Sequence, residues 1–91
     1  MDEFEQRVSE LEVAARAQAD HALKLIKLTI QAWEGDAKLA DRVRQLMTWQ
    51  NELKAWKKKH SETHDVYERY ARILEFIKLC NRLGGIEWET K

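Results

Sequence analysis

A chain of 91 residues with no proline, three glycines and 35% charged residues reads as a single all-helical domain with solvated outer faces, and 44% hydrophobic content excludes disorder. The formal net charge of zero argues against a dedicated nucleic-acid binder, which is usually basic, and against an acidic mimic of nucleic acid. Cys80 is the only cysteine, so an intramolecular disulfide is excluded and a reducing compartment is favoured.

The first helix is predicted over residues 2–34. Phe4, Val8, Leu11, Ala15, Ala22, Ile26 and Trp33 recur near a three-four spacing. Asp2, Glu3 and Glu5 stand where a signal peptide carries basic and then apolar residues. Within this helix, residues 22–33 spread Leu23, Leu25, Ile26, Leu28, Ile30, Ala32 and Trp33 around most of the circumference. Lys24, Lys27 and Gln31, with Asp20 one turn earlier, leave only a narrow polar wedge, and Thr29 stands among apolar neighbours. The outer helix of a lone globule shows a stripe of about 100° or slightly more. This helix should therefore be covered from several sides, by its own chain and by another copy or a different protein. The run is too short, and too interrupted by Lys24 and Lys27, to span a bilayer, so a cytoplasmic location is expected. Gly35 suits a helix C-cap because glycine accepts the left-handed conformation, and Asp36 can cap the next helix.

The second helix is predicted over residues 37–59. Leu39, Val43, Leu46, Leu53 and His60 form its stripe, Gln50 interrupts it, and Trp49 and Trp56 widen it. Lys57, Lys58 and Lys59 fall in the last turn, where positive charge complements the helix dipole. Ser61 or Thr63 then starts a third helix over residues 62–83. Its expected seam is Val66, Tyr70, Ile73, Ile77 and Cys80, flanked by Tyr67 and Leu74 on one side and Phe76 and Leu83 on the other. Gly84 should close it, and residues 84–91, alternating Ile86 and Trp88 with Glu87 and Glu89, read as an extended tail.

Two short connections favour an antiparallel three-helix bundle with a long first helix. Residues 1–20 hold two basic and six acidic residues, whereas residues 36–60 hold seven basic and three acidic. An α-hairpin explains this asymmetry by facing Glu10 and Glu12 towards Lys57, Lys58 and Lys59. It also leaves roughly the first nine residues, with Phe4 and Val8, projecting past the second helix. Such an overhang favours an intertwined homodimer.

The expected contacts with a partner are Phe4, Val8, Leu11, Leu25 and Leu28 on the first helix, with Trp49 and Trp88 as aromatic anchors. A second candidate is a surface for an anion or nucleic acid made by Lys54, Trp56, Lys57, Lys58, Lys59, Arg69 and Arg72. Lysines attract phosphates, and an exposed indole can stack on a base. Against it, the lysines read equally well as a solvated helix end, Trp56 as core, and Glu68 with Arg72 as a surface pair. His60 and His64 are four apart, yet a helix break between them removes the meaning of that spacing for zinc. Cys80 in an apolar seam reads as a small hydrophobe rather than a nucleophile. Gly84-Gly85 follows a helix and is no phosphate loop.

No metal or other cofactor is expected, and no catalytic constellation stands out. The composition favours a non-enzymatic interaction protein, a regulator, adaptor or inhibitor that occupies a partner surface. Nucleotide or nucleic-acid binding, and an enzyme pocket formed between helices or subunits, are the alternatives.

Overall fold

The computed structural model describes residues 2–83. They form three helices in mutual contact: α1 (Glu3–Trp33), α2 (Ala40–Ser61) and α3 (Val66–Leu83), with a 3₁₀ turn (Ala37–Leu39) leading into α2. The chain is all-α with a long first helix, as its periodicity predicts. The expected tail with Ile86 and Trp88, and the cap at Gly84, lie outside the described residues.

Each corner has a local chemical cause. Asp2 accepts the Phe4 N–H at 3.1 Å and opens α1. Gly35 adopts φ +90°, and the Asp36 N–H returns to the Trp33 carbonyl at 3.2 Å. Asp36 then accepts the Lys38 N–H at 3.0 Å and starts the 3₁₀ turn. At the α2–α3 corner the expected caps are corrected. The Ser61 and Thr63 hydroxyls donate backwards at 2.7 Å to the carbonyls of Lys58 and Lys59, which also share the Glu62 N–H at 3.2 Å. Asp65 is the residue that caps α3, accepting the N–H groups of Tyr67 and Glu68 at 3.1 Å.

Cross-helix contacts fix the directions. Glu12 meets His60, and Lys57 pairs with Asp20, so α2 runs antiparallel to α1. The Trp56 and Phe76 rings lie 4.8 Å apart and Arg82 reaches Glu52 at 3.5 Å, so α3 runs antiparallel to α2 and parallel to α1. At about 1.5 Å per residue, the 31 residues of α1 extend about 46 Å and the 18 of α3 about 27 Å. The third helix therefore lies along the N-terminal part of α1. The core joins Ala15, Ala19, Ile26 and Trp33 to Leu46, Leu53 and Trp56, and to Phe76 and Leu79.

Two further expectations change. The first turns of α1 are not a bare overhang. The Phe4 ring stacks on Tyr67 at 5.5 Å and meets Tyr70 edge-on at 5.6 Å, while Val8 is 1% exposed. The tight α2–α3 corner returns the chain to the base of α1, so its own third helix covers what the hairpin leaves open. The seam of α3 is also rotated. Ile73, Phe76 and Leu79 are buried and Cys80 is half-buried, whereas Tyr70 and Ile77 face solvent. This helix carries apolar side chains on two adjoining faces, and a three-four spacing fits either. The face turned inward is the one whose edges, Arg69 and Arg82, find carboxylates on α1 and α2.

The apolar segment of α1 is covered unevenly. Ile26, Thr29 and Trp33 are buried, Leu23, Leu25 and Ile30 half-buried, and Leu28 exposed. Thr29 donates its hydroxyl to the Leu25 carbonyl at 2.7 Å, so its burial leaves no unpaired polar group.

Candidate functional site

A polar knot ties all three helices at the base of the molecule. Glu12 on α1 accepts from Arg69 Nε on α3 at 3.0 Å and from its Nη2, and the same Nη2 lies 3.3 Å from Ser9 Oγ. On its other side Glu12 meets His60 Nε2, on α2, at 2.5 Å. Arg16 Nε donates to His60 Nδ1 at 3.4 Å. With Nδ1 accepting from Arg16, the tautomer that fits leaves the Nε2 N–H to donate to Glu12. The Arg69 guanidinium, and then His60, hold the Glu12 carboxyl below its usual range against the opposing effect of burial. Glu12 in turn raises Arg69.

His60 is 2% exposed, with Trp56 stacked on its ring at 5.1 Å and 9°. Both imidazole nitrogens are engaged and both flanks are enclosed. Such a histidine positions helices and is poorly placed to exchange a proton with a substrate, which needs a nitrogen within hydrogen-bond reach. The knot was partly legible. His60 stands in an otherwise apolar stripe and Arg69 at the edge of another, and buried polar groups require partners. That both would converge on Glu12 is set by the register of three helices. Glu12 was expected opposite Lys57, Lys58 and Lys59. Lys57 instead pairs with Asp20, and Glu12 belongs to His60 and Arg69.

The anion-binding candidates do not converge. Trp56 is 4% exposed, donates its indole N–H to the Arg72 carbonyl at 2.6 Å and packs on Phe76, so it has no free face for a base. Arg69 is occupied by Glu12, and Arg72 Nη1 pairs with Glu75 at 2.6 Å. Lys54, Lys58 and Lys59 are exposed on α2. An open cleft of about 400 Å³ lies at the α2–α3 corner, and another of about 340 Å³ lies along the groove between α2 and α3. The larger is lined by Ser9, Arg16, His64 and the knot, the smaller by Ala55, Trp56, Leu79 and the Glu52–Arg82 pair. Each mixes acidic and basic side chains. Cys80 is half-buried, and burial pushes its thiol up. Among the described residues no group of three histidine, cysteine or acidic side chains is placed to hold a metal ion, and no helix is long and apolar enough to cross a membrane.

Of the expected partner contacts, Val8 is interior, Phe4, Leu25 and Trp49 are half-buried, and Leu11 and Leu28 are exposed. Trp88 lies outside the described residues. The larger apolar surface is one whose periodicity pointed to the core and its flanks. Tyr67, Tyr70, Leu74 and Ile77 follow a 3-4-3 spacing on the outer side of α3 and are 70%, 38%, 44% and 48% exposed. Phe4, packed on the two tyrosines, joins this stripe to the edge of α1, where Leu11 is 45% exposed. Aromatic and aliphatic side chains repeated at a and d spacing form the kind of surface one helix offers another.

No family model matches the chain, and neither the curated proteins nor the solved structures searched contain a match.

Proposed function

We propose that this chain is a non-enzymatic interaction module, a regulator, adaptor or inhibitor that acts by occupying a partner surface and presents that surface as a homodimer. The observation that carries this reading is the exposed stripe Tyr67, Tyr70, Leu74 and Ile77, extended onto α1 by Phe4 and Leu11. Isolated exposed hydrophobes are ordinary, but a row on one helix face continued onto its neighbour marks an interaction site. The enclosure of His60 and Trp56 adds support, because it takes one imidazole and one indole out of reach of a substrate or a base. Native mass spectrometry of the protein isolated gently from its source cell at low salt tests this. A stoichiometric complex with protein, of its own or another kind, is expected. A bare single chain overturns the reading, and bound nucleic acid released by moderate salt replaces it with the electrostatic alternative.

A further inference from the structure

We infer that the edge of α1 beyond the end of α3 is a docking site for this chain's own residues 84–91, with Ile86 and Trp88 as the side chains that cover Thr29 and Trp33. The length of α3 and the burial of α1 do not match without such a cover. Arg82 reaches Glu52 at 3.5 Å, and Lys57, later on the same helix as Glu52, pairs with Asp20. Because α1 and α2 are antiparallel, α3 ends level with about residue 25 of α1. Past that level the described residues form only the α1–α2 hairpin.

The edge of α1 that α3 packs against can be followed past this point. Leu11 lies on it, two turns after Phe4, and is 45% exposed although α3 runs alongside. From Leu11 to Thr29 is about five whole turns, so Thr29 lies on the same edge. With α3 no longer beside it, Thr29 should be the more exposed of the two, yet it is 4% exposed. Trp33, one turn later and far larger, is 6% exposed. The matching side of α2 stays open. Gln45, two turns before Glu52, is exposed, so the cover lies against α1. These exposures belong to one chain by itself, so neither a second copy nor a foreign protein supplies it.

Residues 84–91 begin where α3 stops, and α3 points along α1 in the required direction. From Leu25 to Trp33 the helix rises about 12 Å. Extended chain from Leu83 to Trp88 spans about 16 Å, enough to reach. Gly84 and Gly85 allow the chain to leave the helix. Ile86 and Trp88 then alternate with Glu87 and Glu89, so an extended segment turns both apolar side chains to α1 and both carboxylates to water. Thr29 spends its hydroxyl on the Leu25 carbonyl and asks no polar partner of the segment. Trp88 is thereby an anchor within the chain and not a contact for a partner.

Nuclear Overhauser contacts in the full chain test this. Contacts from the Trp88 ring to the Thr29 methyl or the Trp33 ring are expected, and in a mixture of labelled and unlabelled chains they should arise within chains. Their absence overturns the inference. Contacts found only between chains also overturn it and give the site to the same segment of a second copy. A thiol probe supplies an independent readout. In a Cys80→Ala background, Thr29→Cys should be protected from a disulfide reagent, and adding Trp88→Asp should speed its reaction at least about tenfold with an unchanged far-ultraviolet helix signal. Equal rates overturn Trp88 as the cover. Should Trp88→Asp lower the helix signal, the contacts measured with Trp88 in place still decide.

Discussion

Replacing Glu12 with glutamine probes a polar contact that joins all three helices. The substitution keeps size and one acceptor oxygen. Its new NH2 must face either Arg69 or His60 Nε2, both donors in the native arrangement. At least one charge-assisted bond is lost, at about 1.5–3 kcal/mol. Stripping the partner from a fully buried charge costs about 3–5 kcal/mol. The Glu12 and Arg69 side chains keep 13% and 18% exposure, and Glu5 stands 4.0 Å from Arg69 to share its charge, so the lower part of the combined range applies. The expected loss is about 2–3 kcal/mol, a fall in Tm of roughly 10–20 °C for a domain of this size. Urea unfolding at fixed protein concentration measures it, and a cycle with Arg69→Met isolates the coupling. The acid limb gives a second readout. The folded pKa of Glu12 lies below its ordinary 4.5, so its stabilisation is complete above 4.5 and disappears as pH falls through the lowered value. In E12Q the decline of stability below pH 4.5 should be shallower. A variant within about 0.5 kcal/mol of the parent, with an unchanged acid limb, would show that the knot is a solvated ion pair of the surface kind and refute its role as a strut.

Two more outcomes are set by the geometry. Gly35 holds φ +90° with no heavy atom within 4 Å of an added Cβ, so G35A should cost only the left-handed backbone penalty, about 1–2 kcal/mol, measured by thermal unfolding. A neutral G35A would mean that the turn is not left-handed in solution. Cys80 is half-buried with its thiol pushed up by burial, so at pH 7.5 it should react with a disulfide reagent at least about tenfold more slowly than in the urea-unfolded chain. Equal rates would place it on the surface.

The helix bounds came close because their signals are local. Asp2, Gly35 and Asp36 act within three or four residues of themselves, and the absence of proline leaves the segments between them free to be helical. The α2–α3 corner was misread for an equally local reason: Ser61, Thr63 and Asp65 can all cap, and only the trajectory of α2 decides that the two hydroxyls turn back. The sequence also foretold that α2 has a single inward stripe, Leu46, Leu53 and His60 among it, since the rest of that helix is strongly charged.

Tertiary structure decided what periodicity leaves degenerate. Two apolar faces on α3 satisfy the same three-four spacing, and only contact with α1 and α2 turned Phe76 and Leu79 inward and left Tyr67, Tyr70, Leu74 and Ile77 outside. Phe4 reads the same in sequence whether its cover is a foreign chain or Tyr67, because burial depends on what lies nearby in space and not along the chain. Likewise Glu12, His60 and Arg69 are far apart along the chain, the first separated from the other two by dozens of residues. Each is individually an ordinary polar side chain near an apolar stripe. They become one site only when α2 ends and α3 begins beside Glu12 within α1, and that register is set by the lengths of α1 and α2 and the tight turns between the helices.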